Sequence, residues 1–162
     1  MISKDFMESI EGNTRLLVPA ASLTKKVPPK TPAFFNPAAK LNRDISILLY
    51  RTFISECKHH NKSFADAFSG IGARALRVAV EVPEIENIYL NDVNILAIEA
   101  AKIAAELNGV EEKCYWRMED APPLEGDAGK AAAQRLLRAL LPAGQADVEQ
   151  LVEPGCVEKQ SQ

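Results

Sequence analysis

Two stretches of the chain combine residue types and spacing suited to holding a small charged ligand. FADAFSGIGARALR, residues 64 to 77, runs from an apolar segment ending in Asp66, through a turn with Ser69, Gly70 and Gly72, into a segment that carries Arg74 and Arg77. Glycine at such a turn lets the backbone approach a ligand closely, because it has no side chain to collide and tolerates positive φ. Glycines also serve tight turns that hold nothing. The second stretch, NIYLND, ends in Asp92, about 20 residues beyond the turn, where a carboxylate can take the two hydroxyls of a ribose. The turn reads G-x-G-x-R and lacks the third glycine of the dinucleotide fingerprint, so a nucleoside without a pyrophosphate fits better than NAD. S-adenosylmethionine is a ligand of that form, with adenine, ribose and an amino-acid tail whose charged ends need polar partners.

The elements that must position these residues follow from periodicity and punctuation. NTRLLVPA (13 to 20) has the apolar content of a short strand, and the proline-punctuated VPPKTPAFFNP after it is extended. From Ala38 to about His59, Leu41, Ile45, Leu48, Leu49, Phe53 and Ile54 recur at helical spacing and predict an amphipathic helix. SFADAF is a short strand, ARALRVAVE a helix that stops before Pro83, NIYLND a second strand and KCYWRM a third. NILAIEAAKIAAELNG is a helix opened by Asn94 at the N-cap and closed by Asn108 and Gly109. Strands alternating with helices at this pitch predict βαβ units, a parallel sheet, and ligand sites at the strand carboxyl ends.

Composition bounds the rest. A chain of 162 residues with 47% apolar and 25% charged residues is sized and composed for one globular core. The formal net charge of -3 exerts no global pull toward nucleic acid, and the local run Lys25, Lys26, Lys30, Lys40 and Arg43 is of the kind usually solvated. Cys57, Cys114 and Cys156 have no CxxC spacing, which suits a reducing compartment, and His59 and His60 lack a nearby ligand set, so no metal is expected. No apolar run approaches a membrane span and the N-terminus lacks the order of a secretory signal, so the expectation is a cytoplasmic protein with no membrane partner.

FFNPAAKLNRD (34 to 44), ADAFSGIGARALR (65 to 77), YLND (89 to 92) and EDA (119 to 121) together resemble the N-terminal cofactor half of the tRNA guanine-26 dimethyltransferases, chiefly of the archaeal type. The likeness runs from about Gly12 to Ala121, and FFNP…NRD is its specific element. It implies a Rossmann-like class I methyltransferase of the α/β class, with a parallel sheet truncated after about three strands. The division it implies is an N-terminal extension (1–33), a partial S-adenosylmethionine-binding core (34–121) and a divergent tail (122–162). By resemblance, Phe34 lies against adenine and Arg43 holds the methionine carboxylate. Asp66, Ser69, Gly70 and Gly72 wall the amino-acid tail, supported by Arg74 or Arg77. Asp92 binds the ribose, and Asp120 and Ala121 sit at the adenine edge. The same residues have plainer uses: Phe34 and Phe35 as core cover, Arg43 in a helix-surface pair, Asp66 as a helix cap, Asp120 before a turn.

The partner implied is tRNA, and the reaction is N2-methylation of a guanine, which needs a carboxylate and an adjacent carbonyl beside the exocyclic amine. The family carries these in an Asp-Pro-Phe-Gly segment, and this sequence contains no Asp-Pro. DAPPL (120 to 124) and ADVEQLVEPG (146 to 155) are poor substitutes, the first lacking an adjacent acid and the second interrupted by Glu149 and Gln150. The expectation is an incomplete and inactive fragment, with apolar surface left open to self-association unless a helix near 129 to 141 packs back. The alternatives are a non-catalytic module that binds S-adenosylmethionine or RNA, and another class I methyltransferase with a divergent acid. A frame-shifted or truncated gene product is expected to show Asp-Pro-Phe-Gly in another frame when the DNA beyond the codon for Ala121 is read.

Overall fold

A computed structural model describes residues 5–56 and 62–118, all within the first of the two units of the chain, Met1–Asp120. The expectations placed on Cys57, His59, His60, Asp120, Ala121, Cys156 and the 129–141 helix lie outside the described residues. In chain order the elements are β1 (Phe6–Glu11), β2 (Thr14–Pro19), α1 (Ala20–Thr24), α2 (Lys40–Glu56), β3 (Ser63–Asp66), α3 (Ala73–Glu81), β4 (Asn87–Asn91), α4 (Ile95–Asn108) and β5 (Cys114–Arg117). Among the described residues no helix is long and apolar enough to cross a membrane.

β3, β4 and β5 form a parallel sheet in that order, with Phe64 opposite Ile88 and Ile88 opposite Cys114. Parallel neighbours need crossovers, and α3 and α4 supply them. Leu90 packs between these two helices, so closely that a Cβ on Gly72 would come within 3.1 Å of Leu90 and Ala101. Helix α4 can approach because its buried face is small: Ala97, Ala100, Ala101, Ala104 and Ala105 follow the i, i+3, i+4 pattern. Its ends are as expected, with the Asn94 side chain accepting from Leu96 N and Ala97 N, and Gly109 left-handed at φ 65°.

β1 and β2 form an antiparallel hairpin, of which the sequence announced only the second strand. Leu16 and Val18 enter the same core as Leu76, Val78, Ile88 and Leu90. Asn108 joins the hairpin to α4 by mimicking a strand neighbour: its Oδ1 accepts from Arg15 N at 2.9 Å and its Nδ2 donates to Arg15 O at 2.7 Å.

Helix α2 faces inward differently from its periodicity. Of the six apolar residues at helical spacing only Ile54 is buried, while Leu41, Ile45, Leu48, Leu49 and Phe53 are exposed. The inward face is Arg43, Ile47 and Ile54, with Tyr50 set edge-on against Phe64 at 5.1 Å. The rotation has an electrostatic cause. Arg43 donates through Nε and Nη2 to both oxygens of Glu11, at 2.7 and 2.6 Å. Beside it the buried Arg77 donates to Glu81 at 2.7 and 3.1 Å, reaches Asp44, and stands 3.9 Å from Glu11. Thr14 adds a hydrogen bond to Glu81. Five charged side chains from β1, α2 and α3 thus share one site, and beside it Gly12 sits at φ 57°, a conformation in which any other residue is strained.

Removing one partner of such a cluster leaves buried charge uncompensated. Arg77→Met is therefore expected to lower the unfolding free energy by about 3–5 kcal/mol in urea titration, against little change for Lys40→Ala, whose ion pair is exposed. Equal effects of the two substitutions would refute the assignment.

Candidate functional site

The carboxyl ends of β3 and β4 lie side by side, and the chain between Asp66 and Ala73 is stitched across them. Ser69 donates through N and Oγ to the Asn91 carbonyl, at 2.9 and 3.2 Å. Asn91 returns a bond from Nδ2 to Ala67 O at 3.2 Å. Gly70 N donates to Asp92 Oδ2 at 2.8 Å, and Asp92 Oδ1 accepts from Asn94 N at 2.9 Å. The loop therefore belongs mechanically to the end of β4.

Its two glycines do different work. Gly70, at φ 54°, would present a Cβ only to the Phe34 carbonyl, 3.6 Å away, so its surface is open on the loop's outer side. Gly72, at φ 74°, is required by the contact with Leu90, Leu76 and Ala101. This is the close helix–sheet packing that the third glycine of the dinucleotide fingerprint otherwise provides.

The FFNP segment lies against this loop. Asn36 Oδ1 accepts from Ala38 N at 3.0 Å and opens the single turn Pro37–Ala39 that leads into α2. The aromatic pair is divided: Phe35 is only 3% exposed beneath the Arg43 guanidinium, whereas Phe34 is 53% exposed. Asn94 Nδ2 donates to Pro32 O at 2.9 Å, which holds the segment beside Asp92. Phe34, Gly70 and Asp92 thus share one rim, with Ser69 and Gly72 beneath it in packing and tethering positions.

The arginines separate in the same way. Arg43 is 7% exposed and its Nε and Nη2 are engaged by Glu11, with Nη2 also donating to Asn36 O. Arg77 belongs to the ion cluster and is held still more firmly protonated than usual, first by its bonds to Glu81. Arg74 donates from Nη2 to Asn42 at 2.8 Å, while its buried Nε has no partner among the described residues. Asp66 accepts weakly from Phe68 N, at 3.3 Å, and burial raises its carboxyl above the ordinary range, with Arg74 opposing and the Asp92 charge reinforcing the shift. The strand ends therefore combine two half-buried carboxylates, a guanidinium N–H unsatisfied among the described residues and an exposed aromatic face. This donor set fits a zwitterionic amino-acid tail joined to a nucleoside.

Glu11, Gly12, Asn91 and the second bond of Asn94 were not legible as part of this arrangement. Asn91 had a local signal, its place inside YLND beside Asp92. Glu11 had none, because its partners lie 32 and 66 residues away in sequence. Cys114 is buried and its thiol is pushed up to about 12, first by desolvation, which makes it inert core.

The family model for N2,N2-dimethylguanosine tRNA methyltransferase matches residues 12–126. The tRNA (guanine(26)-N(2))-dimethyltransferase of Methanothermobacter thermautotrophicus is 39% identical over 62% of this chain and 25% of its own length. That of Methanopyrus kandleri is 37% identical over 70% of this chain and 27% of its own. The chain thus spans about a quarter of the length of the curated relatives it matches. A solved complex of aTrm5 with tRNALeu is 23% identical, covers 72% of this chain and 28% of that one, and superposes with a TM-score of 0.50. At that identity the likeness is one of α/β fold alone.

The Asp66 shift carries a sign. Its folded-state pKa lies above that of the unfolded chain, so its contribution favours folding fully below about pH 4 and is lost as pH rises through the folded value. Asp66→Asn keeps an oxygen for Phe68 N and removes the buried charge. It is expected to melt higher than the parent at pH 7, with the gap closing toward pH 4; a gap independent of pH would exclude the carboxyl as its source.

Proposed function

Because this chain belongs to the N2,N2-dimethylguanosine tRNA methyltransferase family, we propose that residues 34–121 form the S-adenosylmethionine-binding part of an enzyme that methylates N2 of guanosine 26 in tRNA. The observation that carries the reading is the meeting of exposed Phe34, open Gly70 and Asp92 on one rim at the carboxyl ends of β3 and β4. The tRNA partner and a cytoplasmic location belong to the same proposal.

The bound cofactor supplies a methyl group made electrophilic by the adjoining sulfonium. The residues of this chain hold and orient. Phe34 offers a flat apolar face for adenine. Asp92 has lone pairs left beyond its bonds to Gly70 N and Asn94 N, and these accept from ribose hydroxyls. Asp66 faces the cationic amino group, and Arg74 Nε turns to the carboxylate. Arg43 stands behind, kept in place by Glu11, while Ser69 and Gly72 fix the loop that lies under the ligand. The family likeness assigns Asp120 and Ala121 to the adenine edge, and both lie outside the described residues. The sequence carries no Asp-Pro-Phe-Gly segment to accept a proton from the guanine amine, so the chain as it stands binds the cofactor and does not turn over.

S-adenosylhomocysteine titrated calorimetrically into the parent is expected to bind in the micromolar range, and Asp92→Ala to weaken it at least about tenfold. With unmodified tRNA present, no methyl transfer is expected. A folded parent that binds nothing would sink the cofactor assignment, and turnover on tRNA would mean that another acid serves.

A further inference from the structure

Asn94 joins three parts of the rim through three different atoms. Its backbone N–H donates to Asp92 Oδ1, its side-chain oxygen accepts from Leu96 N and Ala97 N, and its side-chain nitrogen donates to Pro32 O at 2.9 Å. The first bond orients the Asp92 carboxylate and the second caps α4. Capping alone asks only for an oxygen, which serine, threonine or aspartate supplies equally well. The third bond needs the amide, and the two N–H groups at the oxygen end oblige the nitrogen to face Pro32.

Buried Ala33 and Phe35 seat the segment that receives this bond in the core, while its backbone has few bonds of its own among the described residues. Pro28, Pro29, Pro32 and Pro37 have no N–H to donate, so the stretch depends on its carbonyls. Pro32 O is held by Asn94 and Asn36 O by Arg43. Between those two anchors lies Phe34, whose own carbonyl stands over Gly70.

We propose that Asn94 is a positioning residue, a latch that holds residues 32–36 over the glycine turn and so sets the separation between the Phe34 ring and the Asp92 carboxylate. The consequence for binding rests on the cofactor reading above: a nucleoside laid between the aromatic face and the acid is gripped only while that separation is kept. The latch itself is independent of any ligand. Aligning base and ribose contacts before binding reduces the ordering that binding must impose.

The test uses Asn94→Asp and Asn94→Ser in the full chain. Both keep an oxygen at the N-cap, and aspartate also suits the positive end of the helix dipole. Aspartate sets a carboxylate oxygen against the Pro32 carbonyl, and serine withdraws the donor without repulsion. Thermal midpoints within a few degrees of the parent are expected, together with at least about tenfold faster chymotryptic cleavage after the exposed Phe34 under native conditions, and about tenfold weaker S-adenosylhomocysteine binding. Unchanged cleavage in Asn94→Ser overturns the latch, and faster cleavage with undiminished affinity overturns the positioning role. A parent that resists cleavage at Phe34 but binds no S-adenosylhomocysteine overturns the cofactor reading and leaves cleavage to decide the latch.

Discussion

Two buried guanidinium groups constrain most of what is built around them. Arg43 and Arg77 are 7% and 3% exposed, and a charge in so dry a place must meet opposite charge in good geometry or the folded state is lost. Glu11, Glu81 and Asp44 supply it. Since these acids come from β1, α3 and α2, satisfying the arginines fixes three elements relative to one another. Gly12 supplies the left-handed turn that brings the hairpin to the cluster, and α2 must turn Arg43 inward.

That turn decides which residues of α2 meet solvent. With Arg43, Ile47 and Ile54 facing the core, the opposite side carries Leu41, Ile45, Leu48 and Leu49. A helix apolar on both sides is shaped for burial between two layers, and among the described residues one layer is present. The ordinary rule that the apolar stripe faces inward fails here because the penalty for stranding Arg43 exceeds that for exposing several aliphatic side chains.

The same ion cluster reaches the rim. Arg43 supports Phe35 from above and Asn36 from its carbonyl, so the start of α2 and the FFNP segment form one unit. Asn94 then ties that unit to the end of β4, and Gly70 and Ser69 tie the glycine turn to Asp92 and Asn91. The rim is therefore supported from both sides by side-chain to backbone bonds rather than by strand ladders, which suits a loop that must hold its shape without joining the sheet.

The sequence by itself determined what depends on near neighbours. The three parallel strands, α3 and α4, the Asn94 cap and the left-handed Gly109 follow from periodicity and capping, which act within a turn or two of chain. The family likeness was legible for the same reason, in short motifs whose order is a one-dimensional property. Tertiary structure alone decided the rest. It chose Phe34 over Phe35 as the exposed ring, assigned Gly70 to the rim and Gly72 to packing, gave Arg43 to Glu11, and left Arg74 Nε without a partner among the described residues. Each choice is a competition between partners tens of residues apart, settled by desolvation and by where backbones can approach, and neither is written in local spacing.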